Sequence, residues 1–244
     1  MSRPDLAKDP RDVSTMFDQV AQCYDLLNGV MSLGQDRIWR RVVATELEAY
    51  NGELVLDLAA GTGASAESFA RSGARVIACD FSLGMLRVGV HRRGGASTAG
   101  VTTVAGDALH LPFASQTFDA VTISFGLRNV VDPEAALREL LRVTKPQGRL
   151  LVCEFSHPKN RWLDTLYTRG IAFGLPIVTR RFTPNPQAYE YLPESIAAWP
   201  AQRGLAAELT RAGWTEVSWR NLSLGAVALH RAKSPPASSP HSYR

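Results

Sequence analysis

Residues 54–80 read LVLDLAAGTGASAESFARSGARVIACD: an acid, Asp57, then glycines at 61 and 63, then a second acid, Asp80, closing the next apolar run. Glycines so spaced let the backbone pass close to a ligand at the mouth of a sheet. Gly61, Gly63 and Ala66 fit a dinucleotide-binding turn with Asp80 near the ribose acid, and a glycine turn without a ligand is the plainer alternative. Three features favour S-adenosylmethionine. Asp57 stands just before the glycines, where a pyrophosphate would add negative charge but a cationic sulfonium is tolerated. Asp80 ends its strand, where a carboxylate can take both hydroxyls of a ribose in charge-assisted bonds worth about 1.5–3 kcal/mol each. In GDALHLPF, Asp107 and the Ala108 backbone can hydrogen-bond an adenine edge, and Asp119 precedes the next strand.

A second group follows in FDAVTISFGLRNVVDP, residues 118–133. It begins as a strand and runs into Gly126, Arg128 and Asn129, and strand ends facing a crevice are where open α/β sheets keep their chemistry.

The elements that must position these groups alternate. LVLDLA, RVIACD, VTTVAGD, DAVTISF and RLLVCEFS read as strands, and SAESFARSG, SLGMLRVGVHRR and PEAALRELLRVTK as helices. Such alternation predicts a doubly wound parallel sheet. Residues 12–22, after Asp12, predict an amphipathic helix with Val13, Met16, Phe17 and Val20 on one face. A loop, CYDLLNGVMSLGQD, leads to a helix at about 36–50. AAELTRAGW predicts a helix, and EVSWRNLSLGAVALHRA two strands joined tightly, so the sheet ends in an antiparallel hairpin. The expected fold is α/β: a seven-stranded, mostly parallel, Rossmann-like sheet with a helical cap at 1–50. The main domain is expected at 51–232, with a substrate-covering insertion at about 158–200, and a disordered tail at 233–244.

The bulk numbers fit a globule able to bury its own core: 244 residues, 45% hydrophobic, 20% charged. A net charge of +4, without a Lys/Arg block, reads either as a solvated surface or as attraction to an anionic membrane face. Cys23, Cys79 and Cys153 are isolated from one another and read as reduced thiols, two of them in strands. The first residues show no apolar signal-peptide run, and no apolar stretch reaches a bilayer's span. His91, His110 and His230 form no ligand cluster, so no metal is expected.

FDQVAQCYDLLNGVMSLGQDRIWRR, FGLRN, ALRELLRVTKPQGRLLVCEFS, AYEYLPESI and NLSLGAVALH together resemble the quinone-biosynthesis C-methyltransferases, from about Phe17 to His230. These act on demethylmenaquinol or on the polyprenyl benzoquinol precursor of ubiquinone, and the resemblance favours demethylmenaquinol. It implies the class I methyltransferase fold, with Thr62 and Ser124 joining Asp80, Asp107 and Ala108 in holding the methyl donor. Two departures stand out: AAGTG lacks a second glycine of the loop, and KPQG replaces the commoner KPGG turn.

Methylating a ring carbon needs a phenolate-like nucleophile. From a phenol pKa near 10, reaching pH 7 asks for about 4 kcal/mol. A fixed cation beside the developing oxyanion supplies much of that. Arg128, with Asn129 as second donor, fits the role, while its guanidinium stays protonated and is a poor base. The plainer reading pairs Arg128 with Asp132 or Glu134. Tyr24, Glu154 and His157 are the candidates for proton removal, each with a packing or capping alternative. The aromatics Trp162, Tyr167, Phe173, Phe182, Tyr189, Tyr191 and Trp199 are candidates to line a prenyl groove or simply to pack. The expected partners are a prenylated quinol and, transiently, a membrane surface. The expected location is cytoplasmic, peripheral at the membrane face, and a homodimer is allowed. No basic-aromatic stripe points to nucleic acid. The rival readings are an NAD-dependent oxidoreductase, a methyltransferase on another small aromatic, and a non-catalytic binding module.

Overall fold

A computed structural model of the chain describes residues 8–98, 100–158 and 187–237. Its strands are β1 (Leu54–Leu58), β2 (Arg75–Asp80), β3 (Ser97–Thr98), β4 (Val101–Ala105), β5 (Phe118–Ser124), β6 (Thr144–Phe155), β7 (Thr215–Leu222) and β8 (Val227–Lys233). They form one sheet in the order β3-β4-β2-β1-β5-β6-β8-β7. From β4 to β6 the pairings are parallel, and β8 and β7 close the sheet antiparallel. The chain leaves β1 toward β2 and β4, then returns to β5 on the other side. That reversal opens a crevice beyond the carboxyl ends of β1 and β5.

The strands read as apolar runs because both faces are covered. On one face Leu56, Leu58, Val121, Ile123 and Val152 pack with helices α6 (Pro133–Val143) and α8 (Gln202–Arg211) through Leu137, Leu140 and Leu209. On the other, Val55, Val76, Ala78 and Leu151 pack with α3 (Gln35–Leu47) and α4 (Ala64–Ala70) through Trp39, Val43 and Phe69. Neighbouring residues of β1 thus serve opposite cores, as the period of two requires. A third cluster joins α1 (Pro10–Val20) and α2 (Tyr24–Met31) to Met85 of α5 (Leu83–Arg93). Helix α7 spans Gln187–Ala197.

Four details differ from expectation. The sheet has eight strands, the extra one being the two-residue β3 pairing antiparallel with β4. Helix α1 starts earlier because Asp9, not Asp12, caps it, its Oδ1 accepting the Arg11 N–H at 2.8 Å. The segment 23–36 is not a loop: it contains α2, with Leu27 fully buried. Its helix-poor Asn28 and Gly29 hide the helix locally, and packing overrides propensity. The expected tail begins ordered, since Ser234 N–H donates to Gly148 O at 2.9 Å. Residues 238–244, and of the expected prenyl-groove aromatics all but Trp199, lie outside what the structure describes in side-chain detail.

Candidate active site

The crevice is a partly open cleft enclosing about 120 Å³. Its floor is the turn after β1, where Ala59, Gly61 and Gly63 all take positive φ. Gly61 N–H donates to Asp80 Oδ2 at 2.7 Å, and Ser82 N–H donates to Asp80 Oδ1 at 2.8 Å. Burial, more than these bonds, sets the Asp80 pKa, which is raised. Asp107 and Ala108 line the same wall, with Asp107 Oδ1 accepting the Leu109 N–H at 2.9 Å. Ser124 lines the cleft with its hydroxyl buried and unpartnered.

Asp57, Thr62 and Gly63 stand behind the turn rather than in the cleft. Asp57 is 1% exposed with an unpartnered Oδ2, and burial first, then Asp80, push its pKa up to about 8. A cation arriving in front of it would reverse that shift. Thr62 donates its hydroxyl to Asp25 Oδ2 at 2.8 Å, and its carbonyl accepts from Arg92 and Arg93. A Cβ at Gly63 would lie 2.3 Å from Arg93 Nη1, so this glycine makes room for an arginine. The Thr62–Asp25 bond, with Arg92 Nη1 on Asp25 at 2.9 Å and Asp18 Oδ1 accepting the Gly84 N–H at 2.8 Å, fastens the cap to the donor loops.

The opposite wall is the end of β5. Phe125 has φ +57°, and a Cβ at Gly126 would lie 2.3 Å from Ala59 Cβ, so only glycine lets the two turns touch. A 3₁₀ turn, Leu127–Asn129, follows. Asn129 lines the cleft with its amide oxygen buried and unpartnered. Arg128 is buried beside it. Its Nη1 donates to Glu154 Oε1 at 2.8 Å and to Phe125 O at 2.6 Å, and its guanidinium lies 4.9 Å from the Phe155 ring centroid. Its structural partner is therefore Glu154, not the suggested Asp132, which caps α6, or Glu134, which pairs with Arg138. Strand register brings the pair together, because Ser124 sits opposite Cys153.

Of the three proposed proton acceptors, two are occupied. Glu154 is held by Arg128 and by the Phe155 N–H at 2.9 Å, and His157 Nε2 bonds Trp199 O at 2.9 Å. Tyr24 lines the cleft, edge-on to Phe17 with centroids 6.0 Å apart, and burial raises its pKa, so its phenol stays protonated near neutrality. A residue with no spacing signal in the sequence completes the wall. Lys8 lines the cleft, donates to Val130 O at 3.3 Å and sits 5.9 Å from the Trp199 ring. Burial and then Arg128 lower its pKa.

The family model described as the ubiE/COQ5 methyltransferase family matches residues 5–234. A demethylmenaquinone methyltransferase of Thermobifida fusca is 66% identical over 232 residues, covering 95% of this chain and 98% of the relative. One of Mycobacterium tuberculosis is 55% identical over 240 residues, covering 98% of this chain and 100% of the relative. Among solved structures, a SAM-dependent methyltransferase from Aquifex aeolicus superposes with TM-score 0.57 at 18% identity, over 80% of this chain and 89% of that one, a likeness of fold.

Proposed function

The chain belongs to the ubiE/COQ5 methyltransferase family, and from that premise we infer that it methylates a ring carbon of demethylmenaquinol, giving menaquinol in the last step of menaquinone biosynthesis. The observation that carries this reading is 66% identity over 95% of the chain to a relative of that activity. S-adenosylmethionine, when bound, supplies an electrophilic methyl group on a sulfonium cation. The donor wall suits it. Each Asp80 oxygen holds one backbone N–H and keeps lone pairs for ribose hydroxyls. Asp107 and Ala108 would take the adenine edge, Ser124 offers a hydroxyl with no other partner, and Asp57, once a cation draws off its proton, would set negative charge behind the turn facing the sulfonium.

On the other wall, Asn129 faces the quinol oxygen, with Arg128 buried just behind it, as the quinol proton leaves to solvent water. Glu154 already meets much of Arg128's charge. Lys8, whose close partner is a carbonyl, is the cation that answers the oxyanion most directly. Tyr24 donates its phenol proton as a hydrogen bond and closes the cleft from the cap. A prenylated quinol resides in a bilayer, so the enzyme works from the cytoplasm, touching the membrane face transiently. No described helix is long and apolar enough to cross a membrane.

The test is methyl transfer from labelled S-adenosylmethionine under reducing conditions, with short-chain demethylmenaquinol and its benzoquinol counterpart side by side. Label on the naphthoquinol ring is the expected result. Label on the benzoquinol alone would move the protein to ubiquinone synthesis, and label on neither, with the donor bound, would overturn the substrate assignment.

A further inference from the structure

Helix α2 is apolar on two faces. Tyr24, Leu27 and Met31 turn inward to the cleft and the cap cluster. One turn apart on the other side, Leu26 is 59% and Val30 37% exposed, as are Leu33, 87%, in the connection between α2 and α3, and Ile38 of α3, 56%. Large apolar side chains left exposed together mark a contact surface. The charges around the patch are one-sided. Arg37 and Arg41, one turn apart on α3, are exposed and form no ion pair among the described residues. The nearby acids are turned away: Asp25 to Thr62 and Arg92, Asp36 to Arg40, Glu46 to Arg220 and Arg231. Glu48 is exposed, but past the far end of α3.

We propose that the outer face of the α2–α3 hairpin, Leu26, Val30, Leu33 and Ile38 flanked by Arg37 and Arg41, docks on an anionic lipid bilayer. Leucines entering the headgroup boundary with arginines on the phosphates is how a helix lies on an interface without spanning it. The same helix then faces lipid with one side and the cleft with the other, so the membrane meets the enzyme directly over the site. The proposal rests on the reading of the substrate as a prenylated quinol, which places the substrate in that bilayer. A second copy of the chain is the rival occupant, and the unpaired arginines favour phosphates over an identical, equally cationic face.

The experiment sediments the full chain with vesicles of phosphatidylcholine containing phosphatidylglycerol, and with phosphatidylcholine alone, at low and high salt. Wild type is expected to pellet with the anionic vesicles, with retention falling at least about tenfold in their absence or at high salt. The double change Leu26→Glu with Leu33→Glu, and separately Arg37→Gln with Arg41→Gln, are expected to lose binding by a similar factor. Both should keep the wild-type melting temperature and turnover of a soluble short-chain quinol, while turnover of long-chain quinol in vesicles falls. Variants that pellet like wild type, or a wild type that pellets with neither vesicle, would overturn the surface. So would sedimentation velocity showing a dimer that the glutamates dissolve, which gives the face to a second copy. A wild type that pellets with anionic vesicles yet methylates neither quinol supports the surface and overturns the substrate reading.

Discussion

The two walls of the cleft carry opposite charge and hold it by opposite means. On the β1–β2 side Asp80 and Asp107 line the cleft with Asp57 behind them; the three are held by backbone N–H groups or by nothing, and burial raises Asp57 and Asp80. On the β5–β6 side two cations, Arg128 and Lys8, are held by a carboxylate and by carbonyls. Groups whose charge the fold leaves poorly met announce the charge of what they bind. The acid wall is short of a cation, and on the other side Lys8 alone is left with a carbonyl for its close partner, a polarity that suits a sulfonium facing a phenolate.

Removing Arg128, the guanidinium buried beside the cleft, is the strongest way to break this comparison. Arg128→Gln is expected to lower kcat about 10²- to 10³-fold, while calorimetric affinity for S-adenosylmethionine stays within about threefold of wild type. Glu154, left buried without its cation, should also cost stability, so the double change with Glu154→Gln should restore the melting temperature and not the rate. If both recover, Arg128 is structural. The next largest effect belongs to the other wall: Asp80→Asn should weaken donor binding about 10- to 100-fold and leave the quinol KM unchanged, and a change confined to the quinol KM would merge the two walls into one.

A pH titration sharpens the contrast at Asp57. Its folded pKa, about 8, lies above the ordinary carboxyl value of 3.8, so near neutrality the ligand-free protein keeps a proton that the unfolded chain gives up. The stabilisation this group contributes is complete below about pH 4 and is lost as pH rises through 8. Against Asp57→Asn, wild-type melting temperature should therefore fall progressively across that window, and adding the cationic donor should shrink the gap. A gap independent of pH would mean Asp57 is ionised throughout. The smallest effect lies far from both walls. Gln147, in the KPQG turn, has φ +61°, a backbone region where L side chains are strained, so Gln147→Gly should raise stability by up to about 1 kcal/mol with unaltered kinetics.

The acid wall was legible in the sequence because its parts are local: strand, glycines, helix and the next strand's terminal acid follow one another within one βαβ unit. The alternation of strands and helices likewise located the sheet and its terminal hairpin. The basic wall was legible only in part. FGLRN marked Arg128 and Asn129, but its partner Glu154 is joined to it by strand register, and Lys8 arrives from the far N-terminus with no periodicity to mark it. Helix α2 escaped for a related reason: Asn28 and Gly29 argue against it locally, while Leu27 in the cap cluster and Asp25 on Thr62 hold it from a distance.

The contact between Gly126 and Ala59 sets a tolerance. The turn after β1 and the turn after β5 meet with no room for even a methyl group at 126. Transfer of a methyl group needs reacting atoms about 3–3.5 Å apart and aligned. Two loops on independent supports would drift by more than that distance allows, whereas these two rest against each other like the faces of a gauge block. The spacing of the two turns is thereby fixed by the backbone, before any ligand arrives.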